Sequence, residues 1–256
     1  MSATKTRLDQ HLVNLGLFDS RAQSAAAIKA QQVTVNGVAA RKSSQMVSPS
    51  DQITAAPAHG YVSRGGLKLE KGLAHFQYPI EGKTVIDIGA STGGFSDVAL
   101  QKGAEHILAV DVGRDQLHSK LRKDARVTNL EGLNARHIKP DTFDKEIDAL
   151  VCDVSFISLE LALNSVLDNI VSGGWALALI KPQFEAGKSN LGKNGVVSDP
   201  DMHMKICARI EAWFAAHPSG WHVDGIVQSP IKGPQGNIEF LIGARKTGGR
   251  ARKIGE

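Results

Sequence analysis

The chain has 256 residues but only two cysteines, Cys152 and Cys207, which lie far apart. Two such residues build neither a disulfide framework nor a cysteine-based zinc site, so a reducing cytoplasm is the simplest expected home. No spacing of histidine, cysteine and carboxylates suggests a metal-ligand cluster, and no metal is expected. Long apolar runs are also missing. Stretches such as Trp175 to Ile180 are far too short to cross a bilayer, and the opening MSATKTRLDQ has no apolar core of a secretory signal, so no membrane partner is expected. Hydrophobic residues at 42% and charged residues at 22% are ordinary for a globular protein. The length is enough for one large domain, or for one larger domain plus a small module.

Charge is unevenly spread. Residues 1–64 hold seven Lys/Arg against three acids, and residues 245–256 hold five against one, so each end carries +4. The body between them, residues 65–244, carries −4. Basic ends on a mildly acidic body point to a polyanion such as nucleic acid.

In the first sixty residues, Leu8, Leu12 and Leu15 form one apolar stripe at helical spacing, which Gly16 ends. Ser20, with Gln23 three residues on, matches a capping box and opens a second helix through Ala22, Ala25, Ala26 and Ile28. Val33-Thr34-Val35-Asn36-Gly37-Val38 then reads as a hairpin, because Asn and Gly both tolerate positive φ. Gln52-Ile53-Thr54 suggests a further strand. The segment 55–60 has the composition of a linker, which sets domains at 1–60 and 61–246, with a basic tail at 247–256. Helix, helix and hairpin, with Arg7-Leu8-Asp9, Ser20-Arg21 and Val33 to Gly37, resemble the small α+β RNA-binding domain first seen in small-subunit ribosomal protein S-four. That family usually has a glycine before the first hairpin strand, where Gln31 and Gln32 stand here. The resemblance implies that Arg7, Arg21, Lys29, Arg41 and Lys42, with Arg64 beyond them, grip RNA phosphates.

From residue 84 the pattern changes to β-type runs alternating with helical stretches: 85–88, 107–110, 149–153, 176–180, 225–228 and 238–242. Continuous hydrophobic strands separated by helices indicate a buried, mostly parallel α/β sheet with helices on both faces. The first strand runs into Asp87-Ile88-Gly89-Ala90-Ser91-Thr92-Gly93-Gly94-Phe95, a glycine-rich turn that lets backbone approach a ligand. Asp111 ends the second strand 22 residues after Gly89, where a carboxylate can accept from both ribose hydroxyls of an adenosine. A dinucleotide site calls for Gly-x-Gly-x-x-Gly, whereas this chain reads Gly89-x-Ser91-x-x-Gly94. Asp87 followed by Gly89 instead fits S-adenosyl-L-methionine, whose ammonium favours a nearby carboxylate.

Asp153 and Lys181 end strands of the parallel sheet and so face its ligand-binding edge. Glu239 stands near the start of the last strand and reaches the same edge if that strand runs antiparallel. Lys68 lies ahead of the first strand, in reach of the crevice. The ordered set Lys68, Asp153, Lys181, Glu239 resembles that of the FtsJ-type ribose 2′-O-methyltransferases. More widely, Tyr61 to Leu69, Asp153 to Leu159, Ile180 to Glu185, Ser229-Pro230-Ile231 and Gly236 to Leu241 resemble the hemolysin A (TlyA) family over about the whole chain. The resemblance implies a Rossmann-like, S-adenosylmethionine-dependent methyltransferase acting on a cytidine 2′-hydroxyl of ribosomal RNA, with rRNA or ribosomal subunits as partners. It implies Lys181 beside the hydroxyl as base or orienting group, with Lys68, Asp153 and Glu239 tuning and positioning it. Lys68 favours a neutral Lys181 by like-charge repulsion, and the two carboxylates favour a charged one. Asp87, Gly89, Ser91, Gly93, Gly94 and Phe95 are implied on the methionine side of the cofactor, Asp111 at the ribose and Asn134 near the adenine. Two other readings stay open: a membrane-acting haemolysin, and an RNA-binding assembly factor with a vestigial site.

Overall fold

The structure is a computed structural model that describes residues 5–18, 20–56, 59–140, 142–187 and 190–248. Pro57 and Ala58 of the expected linker and residues 249–256 of the expected tail lie outside the described residues. The chain divides into two compact units, Met1–Gly60 and Tyr61–Glu256.

In the first unit, β1 (Thr6–Arg7) leads into α1 (Leu8–Asn14), followed by α2 (Arg21–Lys29), β2 (Val33–Val35), β3 (Val38–Ala39), β4 (Met46–Val47) and β5 (Ile53–Ala55). β2 lies between β3 and β5, antiparallel to both, and β1 pairs with β4. Leu8 and Leu12 are fully buried with Ile28, Val33 and Val47, so the helices close over the hairpin. Leu15, read as the third member of the apolar stripe, is 53% exposed, because α1 stops at Asn14 and Gly16 turns the chain at φ +69°. Ser20 does cap α2, its Oγ accepting from the Gln23 amide at 3.3 Å. Asn36 and Gly37 both have positive φ, which gives the hairpin a two-residue turn matched to the strand twist.

The end of α2 shows what Gln31 does in place of glycine. The Gln31 amide donates to Ile28 O and the Gln32 amide to Ala27 O, which is the bond pattern of a Schellman cap. Gln31 itself adopts φ +58°, a left-handed conformation that strains a residue with a Cβ.

The second unit begins with α3 (Gly66–Phe76), β6 (Thr84–Ile88), α4 (Gly94–Gln101), β7 (His106–Asp111), α5 (Ser119–Arg122) and β8 (Val127–Glu131). It continues with β9 (Ile147–Cys152), α6 (Leu159–Leu163), β10 (Ile170–Ile180), α7 (Pro182–Glu185), α8 (Pro200–Ala215), β11 (Trp221–Gln228) and β12 (Phe240–Lys246). The seven strands run in the order β11-β12-β10-β9-β6-β7-β8. All neighbours pair in parallel except β12, which is antiparallel to both β10 and β11.

Strand periodicity assigns each side chain to a face. Ile86, Ile88, Leu150, Cys152, Ala178 and Ile180 pack with Leu163, Ile210 and Phe214 of α6 and α8. Val85, Ala149, Val151, Leu177 and Leu179 pack with Leu69, Leu73, Val98 and Leu121 of α3, α4 and α5. Both faces are thereby covered, which is why the central strands are apolar throughout. β8 was not expected from the sequence: it is a half-exposed edge strand reading Val-Thr-Asn-Leu-Glu. Among the described residues, no helix is long and apolar enough to cross a membrane.

Because glycine adopts φ +58° without strain, Gln31→Gly is expected to stabilise the first unit by about 0.5–1 kcal/mol. Hydrogen exchange at the Val33–Val35 amides measures this, and faster exchange in the variant would contradict it.

Candidate active site

The chain leaves β6 for one side of the sheet, through β7 and β8, and returns to the other side as β9. The crevice at the carboxyl ends of β6 and β9 is therefore the switch point where open α/β sheets bind ligands. Ile88 pairs with Cys152, so the residues one step beyond, Gly89 and Asp153, come together. Gly89 has φ +81°, and a Cβ there would stand 2.8 Å from the Asp153 carbonyl oxygen. Only glycine permits so close an approach of the two strand ends.

The same register logic operates at β12. Ile180 pairs with Phe240, so in the antiparallel direction Lys181 and Glu239 are the next residues out. Lys68, in the first turn of α3, completes the group. Lys68 Nζ lies 2.7 Å from Glu239 Oε2 and 3.4 Å from Asp153 Oδ2. Lys181 Nζ lies 2.5 Å from Asp153 Oδ1 and donates to Ser155 Oγ at 2.9 Å. Lys68 and Lys181 are each 7% exposed and Glu239 is 1% exposed. All four expected catalytic residues thus form one alternating chain of charges, Lys181–Asp153–Lys68–Glu239. Gln183 Nε2 extends it at 3.4 Å from Glu239 Oε1, and the bare Cα of Gly233 packs against the same carboxylate.

Two adjoining clefts open here. One, about 190 Å³, is lined by Ser63, Asp87, Gly94, Phe95, Asp153 and Lys181. The other, about 400 Å³ and largely apolar, is lined by Asp111, Val112, Leu133, Asn134, Phe156 and Ile157. Gly89, Ser91, Asp153 and Ser155 border both.

Asp87 is 1% exposed. Its Oδ2 accepts from Ser96 Oγ at 2.6 Å, while its Oδ1 is buried with no hydrogen-bond partner. Burial pushes its pKa up to about 7, and the Asp153 and Asp111 charges push the same way against the Ser96 hydrogen bond. A buried carboxylate with a spare acceptor suits a cationic group such as an ammonium. Asp111 accepts from the Ser91 amide at 2.8 Å and from the Gly113 amide at 2.7 Å, which aims its carboxylate along the rim of the larger cleft. Asn134 borders that cleft too, and its Oδ1 caps the next turn by accepting from the Arg136 amide at 3.1 Å. Gly93 borders neither cleft; at φ +92° its Cα packs on Leu117 and Leu121, so its place is in the turn. Cys152 is fully buried in the sheet, and burial pushes its thiol pKa up, as befits a core residue. Among the described residues, no three His, Cys, Asp or Glu side chains gather as metal ligands.

The expected RNA contacts fall into separate groups. Arg7 and Arg21 both bind Asp9, at 2.9 Å each, and hold its carboxyl well below the usual range while staying about half exposed. Lys29 and Arg41 line a groove of about 470 Å³ in the first unit, together with Ala25, Ile28 and Gln31. Lys42 is exposed in the same unit, and Arg64 is exposed just ahead of α3 in the second. Among the site residues that escaped the sequence reading are Ser63, Ser155, Gln183 and Gly233. Ser63, Ser155 and Gln183 lie inside quoted motifs but have no distinctive chemistry as residue types. Gly233 carries no signal at all, since its role is a close approach across loops.

The FtsJ-like methyltransferase family matches residues 61–246, and the S4 domain matches residues 6–53. The 16S/23S rRNA (cytidine-2′-O)-methyltransferase TlyA of Mycobacterium tuberculosis is 39% identical, over 97% of this chain and 93% of its own length. Hemolysin A of Brachyspira hyodysenteriae is 39% identical, over 92% of this chain and 98% of its own. A solved structure from Streptococcus thermophilus, described as that of a hemolysin, superposes with a TM-score of 0.74 at 41% identity, covering 99% of this chain and 92% of that one. With a four-residue charge chain at the switch point of such a sheet, the chain belongs to the FtsJ-like methyltransferases, in the TlyA/hemolysin A family, and carries an S4 domain at its front.

Proposed function

We infer that the protein uses S-adenosyl-L-methionine to methylate a ribose 2′-hydroxyl of ribosomal RNA, with cytidine as the target nucleoside. The observation that carries this reading is the Lys181–Asp153–Lys68–Glu239 chain, whose Lys181 end borders the cleft that also holds Asp87. The ribosomal RNA and the cytidine follow the name of the tuberculosis relative, and the S4 domain supports an RNA partner.

The residues suit the cofactor. The spare oxygen of Asp87 would hold the ammonium, Asp111 the ribose hydroxyls, and the apolar cleft beside Asn134 the adenine. When bound, the cofactor supplies a methyl group on a positive sulfur. The protein then has to hold the hydroxyl oxygen in line with that carbon and take up its proton. Lys181 is the amine for both tasks: neutral, it accepts the proton; charged, it orients the oxygen. Asp153 holds the Lys181 nitrogen. Lys68 shares the Asp153 carboxylate with Lys181, and Glu239 balances Lys68 so that the pair can be buried. In the first unit, Arg7, Arg21, Lys29, Arg41 and Lys42 would grip phosphates, joined by Arg64 in the second unit.

Tritium-methyl transfer to unmodified ribosomal subunits tests the activity. Lys181→Ala is expected to lower kcat by about 10²–10⁴-fold with cofactor affinity intact. A variant at full rate would remove Lys181 from the chemistry. Calorimetry is expected to show S-adenosylmethionine binding that Asp111→Ala weakens strongly. Below the Asp87 pKa of about 7 the carboxyl is neutral and attracts no ammonium, so affinity is expected to fall with pH by up to about tenfold per unit and to level off above it. A flat profile from pH 8 to 6 would separate Asp87 from the ammonium. Reversing Lys29 and Arg41 to Glu is expected to weaken RNA binding and shorten its salt slope. An unchanged slope would exclude that groove as the phosphate grip.

A further inference from the structure

The nitrogen of Lys181 has three directions that can hold a hydrogen or a lone pair. Asp153 Oδ1, 2.5 Å from Nζ, takes one of them as a close ion pair. The ring of Phe184, 5.9 Å from Nζ, is indifferent to rotation. Ser155 Oγ, which accepts at 2.9 Å, takes a second and leaves one for a substrate oxygen.

Ser155 also stands in a telling place. Lys181 is buried, whereas Ser155 is exposed and borders both clefts. A hydroxyl that accepts from Lys181 keeps its own hydrogen to donate to an oxygen in the cleft. The loop that carries it is held at both ends. The Asp153 amide donates to Ile88 O at 3.0 Å, and the Leu159 amide donates to Glu185 Oε1 at 2.8 Å. Glu185 is in turn paired with Arg209 at 2.7 Å. Between these anchors Phe156 is held at φ +65°, a left-handed conformation that strains a residue with a Cβ. The backbone beside Ser155 thus accepts strain in order to keep this shape.

Resting on the assignment of Lys181 to the substrate hydroxyl, we propose that Ser155 is a positioning residue for methyl transfer: with the Asp153 carboxylate holding one direction, its hydroxyl fixes the rotation of the Lys181 nitrogen, so that the one remaining direction faces the incoming oxygen. The charge chain holds the amine, and the serine aims it. Steady-state methylation of unmodified ribosomal subunits by the full chain, with Ser155→Ala, Ser155→Thr and Lys181→Ala side by side, tests this. Ser155→Ala is expected to lower kcat on the order of 10- to 100-fold, with KM for RNA and cofactor unchanged, as befits misalignment alone. Ser155→Thr keeps the hydroxyl and is expected to recover most of the rate. Full kcat in Ser155→Ala, a raised KM with kcat intact, or equal impairment of the Ala and Thr variants would each overturn the role. If Lys181→Ala is itself fully active, the assignment of Lys181 fails. If Lys181→Ala is inactive while Ser155→Ala is unimpaired, only the role of Ser155 fails.

Discussion

Four charged groups, two amines and two carboxylates, meet at one edge of the sheet; Lys68, Lys181 and Glu239 are buried and Asp153 is partly so, and they can sit there only together. A lone charge this deep would be neutralised or would pull water in; paired in alternation, each is compensated by a neighbour at 2.5–3.4 Å. Removing one partner from such a group leaves an uncompensated charge and typically costs about 3–5 kcal/mol. The group is therefore a constraint on the fold as much as a feature of the site. Lys68 must come from α3, Asp153 from the end of β9, Lys181 from the end of β10 and Glu239 from the entry to β12, so three strands and a helix are committed to one point.

The strand directions follow from the same requirement. Parallel strands deliver their carboxyl ends to one edge, which accounts for Asp153 and Lys181. A fourth charge from a later strand reaches that edge only at its amino end, and β12 runs antiparallel between β10 and β11. Close packing then falls to glycine. Gly89 lets β6 end against the Asp153 carbonyl, and Gly233 lets a loop lie on the Glu239 carboxylate. Either contact would be filled by a single Cβ, so the cleft beside Asp87 and the seat of Glu239 both depend on the missing atom.

Much of this was legible in the chain itself. The central strands are apolar on both faces and announced a covered parallel sheet. Asn36-Gly37 marked its hairpin because both residues accept positive φ, and Ser20 marked its helix start. The order Lys, Asp, Lys, Glu named four residues that the fold brings together. The misreadings have physical reasons. Leu15 belonged to the stripe by spacing, but α1 ended one residue sooner. β8 was invisible because an edge strand that is half solvated need not be apolar.

What the sequence determined by itself is therefore local and periodic: which segments are strands or helices, which turns need positive φ, and which chemical groups stand at strand ends. Those properties depend on residues close together in the chain. Only the tertiary structure decided that Lys181 meets both Asp153 and Ser155, that Gln183 and Gly233 close on Glu239, and that one oxygen of Asp87 stays unpaired. These depend on register between strands and on approaches between segments far apart in the chain, as for Lys68 and Glu239, separated by 171 residues. A residue type carries no mark of such a neighbour, because the contact is made by geometry rather than by composition.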